Sequence, residues 1–182
     1  MNITFPSPQD DCFTILGVPV NAPVDAVRAA ARRLTLKYHP DRFASASQDI
    51  QADAELASML VSDAEKRLSD AFSRATYILK LTFNVQLHDL RHHQPPADLF
   101  ARILETQEAL LDVQMGEPAD QATLSVELAA YKADLMECED KLWAVFGRMA
   151  ACETVTADDI AAPLMLHGYL VRVTNGITAV LA

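Results

Sequence analysis

The stretch Arg32-Arg33-Leu34-Thr35-Leu36-Lys37-Tyr38-His39-Pro40-Asp41-Arg42-Phe43 decides how this chain is read. At about 100° per residue, Val27, Ala30, Ala31, Leu34 and Tyr38 fall on one side of a helix, with Arg28, Arg32, Arg33 and Lys37 on the other. Pro40 ends that helix, because its ring disfavours helical geometry at His39 and it has no N–H to donate. After a polar interval at 44–48, Leu56, Leu60, Ala64, Leu68, Phe72, Ala75 and Leu79 share a face and predict one long helix over 49–83. Ahead of the basic helix, the apolar piece 13–16 closes on Gly17 and Pro19. Asn21 is then placed to cap the basic helix, whose early Pro23 is tolerated in the first turn.

Beyond residue 83 the pattern breaks, and Pro95-Pro96 marks the best boundary in the chain. Three further helices are predicted. The first, over 97–115, stops at Gly116-Glu117-Pro118. The second, over 120–151, carries Leu124, Leu128, Tyr131, Leu135, Cys138, Leu142, Val145 and Met149 in alternating steps of four and three, a coiled-coil-like seam. The third follows Thr156, whose hydroxyl can cap it with Asp159 three residues on, and continues to the end through Pro163, Gly168 and Gly176. Almost nothing reads as a strand. The expected architecture is all-α: a helical hairpin with a short flanking helix over 1–83, a linker over 84–96, and an antiparallel three-helix bundle over 97–182.

The 182 residues are 51% apolar and 22% charged, enough to build a core and ordinary for a globular chain. A net charge of −10 argues against general binding to nucleic acid or anionic membrane, since both need a positive footprint. The exception is local. Between Pro23 and Phe43, Arg28, Arg32, Arg33, Lys37 and Arg42 face only Asp25 and Asp41. Cys12, Cys138 and Cys152 are widely spaced and form no C-x-x-C pair, so neither a zinc module nor a disulfide framework is expected. There is no basic-then-apolar leader pattern at the start and no apolar run long enough to span a bilayer, so a soluble cytoplasmic protein is expected. His88, His92 and His93 lack a nearby cysteine or carboxylate set and read as solvated, so no metal or other cofactor is expected. Nucleotide-binding glycine motifs and a nucleophile signature are both lacking, which points away from an enzyme.

With its basic helix and His39-Pro40-Asp41, the chain resembles the J-domain, the helical hairpin by which co-chaperones stimulate DnaK-type ATPases. That resemblance implies stimulation by His39, Pro40 and Asp41, and docking by Arg28, Arg32, Arg33 and Lys37. Over nearly its whole length the chain resembles HscB, the J-protein family of iron–sulfur cluster assembly. The likeness is carried by Cys12-Phe13-Thr14-Ile15-Leu16-Gly17-Val18-Pro19, His39-Pro40-Asp41-Arg42-Phe43-Ala44 and Arg74-Ala75-Thr76-Tyr77-Ile78-Leu79. It departs from the family's usual aromatic at Cys12 and its usual proline at Ala71. The family's second half binds the scaffold IscU. The local match, Leu99-Phe100-Ala101-Arg102-Ile103-Leu104-Glu105-Thr106-Gln107-Glu108, implies scaffold contacts at Phe100, Leu104, Glu105, Glu108 and Asp112, with Tyr169 from the last helix. Thr106 and Gln107 replace the usual leucine and arginine. The partners implied are an HscA-like chaperone of the DnaK type and an IscU-like scaffold.

Helix geometry bears on the same face independently. Measured from Phe100, Leu104 falls at about 40°, Glu108 at about 80°, Asp112 at about 120° and Glu105 at about 140° around the helix axis. Leu99, Ile103 and Leu110 gather instead at about 280°. An apolar pair bordered by acids and set apart from the core stripe fits a binding surface. A wider core stripe that buries both residues is the competing reading. At the level of function, the rivals are a J-domain adaptor for a different client and a degenerate J-like scaffold without ATPase stimulation.

Overall fold

The computed structural model describes residues 4–90, 95–116, 118 and 120–182. Among them, every regular element is helical and there is no strand. The helices are α1 (Cys12–Leu16), α2 (Val24–Tyr38), α3 (Gln48–Leu68), α4 (Ala71–Phe83), α5 (Ala97–Gln114), α6 (Gln121–Ala150) and α7 (Ala157–Leu181), with 3-10 turns at Pro40–Phe43 and Leu87–Leu90. The chain divides into two compact units, Met1–Tyr77 with Phe146–Thr154 and Ile78–Val145 with Val155–Ala182. The sequence pattern puts the seams at 83 and 97, so the two divisions differ.

In the first unit, Asp11 caps α1 by accepting from the N–H groups of Phe13 and Thr14 at 2.8 and 3.0 Å. Gly17 closes it at φ 66°, a left-handed conformation that glycine adopts without strain. The next helix starts differently from the expectation. Pro23, not Asn21, occupies the cap position of α2, and no side chain caps it. The Pro23 carbonyl receives Ala26 N–H at 2.9 Å, and its fixed φ sets the entry to the helix.

Helix α2 buries Val27, Ala30, Ala31 and Tyr38, and α3 buries Ala54, Ala57, Val61, Ala64 and Leu68 in steps of three and four. Small alanines on both helices allow the backbones to approach closely. The expectation that Leu56 and Leu60 join this core fails: Leu56 is 40% exposed and Leu60 half-buried. In the first half of α3 the buried positions are instead Ala54, Ala57 and Val61, and a search for large apolar residues passes over the two alanines.

The single helix expected over 49–83 is broken at Ser69 and Asp70. Asp70 Oδ1 accepts from Phe72 N–H and Ser73 N–H at 3.0 and 2.8 Å and so starts α4 as a new helix. One turn on, Arg74 is fully buried. Its guanidinium donates to the carbonyls of Val20 (3.1 Å), Ala22 (2.7 Å) and Leu68 (2.7 Å), and lies 5.6 Å from the Phe146 ring centroid. Burial lowers its pKa to about 10. Nearby, the Tyr77 hydroxyl accepts from Cys12 N–H at 2.8 Å, and burial pushes this phenol up to about 12.

The seam of α6 faces inward in part: Leu124, Tyr131, Cys138, Leu142 and Val145 are buried, whereas Leu128, Leu135 and Met149 are only half-buried, and Val145 is the last α6 residue of the second unit. The Thr156–Asp159 capping box starts α7, and Pro163 is carried inside this helix, buried. Helix α5 is fixed to α6 by Arg102, which pairs with Asp134, lies 3.6 Å from Glu127 and stacks 4.4 Å from the Tyr131 ring centroid. Toward α7, Leu110 lies so close to Gly176 that a Cβ there would meet its Cδ1 at 2.9 Å. Of the stretch expected as a linker, 84–96, the described residues 84–90 and 95–96 fall in this unit. Val85 N–H returns to Leu79 carbonyl at 3.2 Å, a 3-10 turn comes next, and Leu90 and Pro95 are buried. Residues 91–94, including His92 and His93, lie outside the described residues.

Candidate functional site

The turn after α2 is built to hold two side chains outward. His39 leaves helical geometry at φ −57°, ψ 129°, as a residue before proline must, and Pro40 opens the 3-10 turn. The His39 ring Nδ1 accepts from Asp41 N–H at 3.3 Å and lies 3.5 Å from Asp41 Oδ2. The two side chains are 50% and 89% exposed, so the pair is presented to solvent as a unit.

What fixes the turn lies around it. Phe43 is buried and its ring centroid is 5.6 Å from that of Phe5, which also meets Tyr38 at 5.6 Å. Arg42 Nη1 donates to Leu36 carbonyl at 3.3 Å, covering one of the open carbonyls at the end of α2. From α3, Ser58 Oγ donates to Tyr38 carbonyl at 3.0 Å, and Gln51 Nε2 reaches the carbonyls of Ala44 and Ala46. Sequence reading missed Phe5, Ser58 and Gln51. Their types are common, and only the hairpin register brings them to the turn.

Arg28, Arg32, Arg33 and Lys37 are all exposed on α2. Arg28 lies 3.9 Å from Asp25, an exposed pair of little energetic weight. Between Arg28, Arg32 and Glu65 lies a depression of about 300 Å³, with Leu36 at its edge. Leu36 is 63% exposed, an apolar side chain set among cations that the sequence reading did not single out.

In the second unit, Phe100 and Leu104 are 39% and 43% exposed, whereas Ile103 and Leu110 are buried. The wide core stripe that would bury all four is therefore not what forms. Glu105, Glu108 and Asp112 are exposed on the same helix. Thr106 is buried, its hydroxyl 2.9 Å from the Tyr131 hydroxyl, so its departure from the usual leucine is absorbed inside the bundle. Tyr169 is half-buried on α7, with the Arg172 guanidinium 4.9 Å from its ring centroid. Seven residues separate it from Gly176, about 20° in helical phase, so both lie on the side of α7 that meets α5. The His88 ring lies 3.1 Å from the Asp89 carboxylate, and no group of three metal-ligating side chains occurs among the described residues. Among those residues, no helix is long and apolar enough to cross a membrane.

Residues 11–77 match the DnaJ domain family, the segment that holds α1, α2, the His39-Pro40-Asp41 turn and α3. That segment is thus a DnaJ domain. "Chaperone protein dnaJ 72" of Arabidopsis thaliana is 40% identical over 67 residues, 37% of this chain and 36% of that one. "Co-chaperone protein HscB homolog" of Colwellia psychrerythraea is 31% identical over 117 residues, 63% of this chain and 66% of that one. The homologue of the same description from Neisseria gonorrhoeae is 33% identical over 85 residues, 47% and 51% of the two chains. The matched stretches thus span less than two thirds of these relatives. The solved structures of HscB from Vibrio cholerae (TM-score 0.64, 21% identity, 94% of this chain and 97% of that one) and of human HscB (0.68, 22%, 97% and 85%) share the fold along the chain. By its DnaJ domain, its relatives and its fold, the chain is similar to HscB-type J-domain proteins.

Proposed function

We propose that this chain is a cytoplasmic co-chaperone that stimulates the ATPase of a DnaK-type, HscA-like chaperone and delivers to it an IscU-like iron–sulfur scaffold, promoting cluster transfer. It performs no covalent chemistry. His39, Pro40 and Asp41 act on the chaperone, and Arg28, Arg32, Arg33 and Lys37 steer and register an acidic chaperone surface. Phe100, Leu104, Glu105, Glu108, Asp112 and Tyr169 receive the scaffold.

The observation that carries the reading is the turn at His39. A solvent-facing histidine and aspartate gain no stability from burial, yet Phe43, Arg42, Ser58 and Gln51 hold their backbone from both sides. Such rigid presentation of exposed groups lowers the ordering cost of binding a partner. The test is a single-turnover ATPase assay with the cognate chaperone. His39→Gln should abolish stimulation while shifting stability by under about 0.5 kcal/mol, as expected for an exposed side chain. Full stimulation by that variant would overturn the J-domain role.

A further inference from the structure

Helix α5 and its C-cap residue, Met115, expose more apolar surface than the two residues already placed at the scaffold face. Leu111 is 54% exposed and Met115 77%. Measured from Phe100, Leu111 falls at about 20°, Leu104 at about 40° and Met115 at about 60°, so all four share one narrow strip. At about 1.5 Å per residue the strip runs about 22 Å along the helix. It consists of two i,i+4 pairs, Phe100 with Leu104 and Leu111 with Met115.

The flanks of this strip are unlike each other. On one side stand Glu108, Asp112, Glu105 and Asp98, between about 80° and about 160°, all exposed. On the other stand only the amides Gln107 and Gln114, at about 340° and about 320°, before the buried Ile103 and Leu110.

We infer that the strip is one docking surface, and that Leu111 and Met115 form its second half. The occupant is the scaffold partner of the proposed function, on which this inference rests. That partner presents an apolar groove with cations along one rim and neutral polar groups along the other. Continuity argues for a single occupant: Asp112 is one turn from Glu108 on the same acidic flank, and no charge interrupts the apolar line. The lopsided charge also sets direction, since a reversed partner would bring its cations to the glutamine edge and leave the acids unpaired. The same strip of a second copy fits poorly, because it carries the same acids, Glu105, Glu108 and Asp112, and no basic residue.

The experiment compares Leu111→Gln with Met115→Gln in one chain, Phe100→Ala, and the unsubstituted protein, by calorimetric titration with the purified IscU-type scaffold. Glutamine has a helix propensity close to those of leucine and methionine, so α5 is retained, and circular dichroism checks this. The double variant should weaken scaffold binding about tenfold or more, as a second apolar cluster in one footprint would. If Phe100→Ala weakens binding and the double variant does not, the strip ends at Leu104 and this inference fails while the scaffold reading stands. If the unsubstituted chain does not bind the scaffold, that reading fails and this footprint with it. Sedimentation covers the remaining occupant: a dimer dissolved by the double substitution would give the strip to a second copy and overturn the inference.

Discussion

Truncating Phe100 separates a binding residue from a core residue with one protein. A phenylalanine side chain offers roughly 200 Å² for burial, so 39% exposure leaves about 80 Å² for a partner to cover. At about 25 cal/mol per Å² that area is worth about 2 kcal/mol, a factor near thirty in affinity. The part already buried is about 120 Å², less than in a fully enclosed ring, so Phe100→Ala should cost about 2–3 kcal/mol of stability. Phe146 provides the scale, since its ring is completely buried and truncation to alanine should cost about 3–5 kcal/mol. Scaffold affinity by calorimetry and stability by urea titration of both variants complete the comparison. Glu105→Ala and Glu108→Ala, on the exposed flank, should each cost only about 0.2–1 kcal/mol of affinity. If Phe100→Ala loses as much stability as Phe146→Ala and keeps its affinity, the reasoning is refuted and the partner sits elsewhere.

Two further outcomes concern the first unit. Reversing Arg32 and Lys37 to glutamate together should slow association with the chaperone and flatten its salt dependence, because steering acts at range and salt screens beyond about 8 Å; stopped-flow rates unmoved by salt and by both reversals would reduce this face to ordinary helix surface. Tyr77 should make stability sensitive to alkali: with the folded phenol at about 12 against 10 unfolded, its contribution is complete below pH 10 and is lost as pH rises through 12. Urea titrations at stepped pH should show that part of the fall missing in Tyr77→Phe, and an unchanged alkaline profile would contradict the assignment.

Most helices are legible in the sequence because their apolar periodicity and their stops agree. Gly17, Pro40 and the Thr156–Asp159 pair act within a few residues, and each ends or begins a helix where the sequence predicts it. The break at Ser69–Asp70 is not legible, since the apolar pattern runs through it and only the backbone reveals that Asp70 turns to cap α4. Leucine at position 56 predicts burial because leucine usually packs inside; the hairpin instead closes on alanines, whose value lies in letting helices approach. The exposed residues on α2 and α5 can be read from phase alone. The supports beneath the turn cannot, because Phe5, Ser58 and Gln51 reach it only through tertiary register.

Arg74 has a consequence for the order in which the first unit assembles. Its bonds to Val20 and Ala22 span 54 and 52 positions of chain, so they close larger loops than the neighbouring α2 and α3 need to meet. Closing a longer loop costs more entropy, and contacts of that kind tend to form after the local hairpin has collapsed. A bond made late on the way in is among the first to be given up on the way out. Replacing Arg74 is therefore expected to speed unfolding more than it slows folding, as a latch set after the hairpin has closed would.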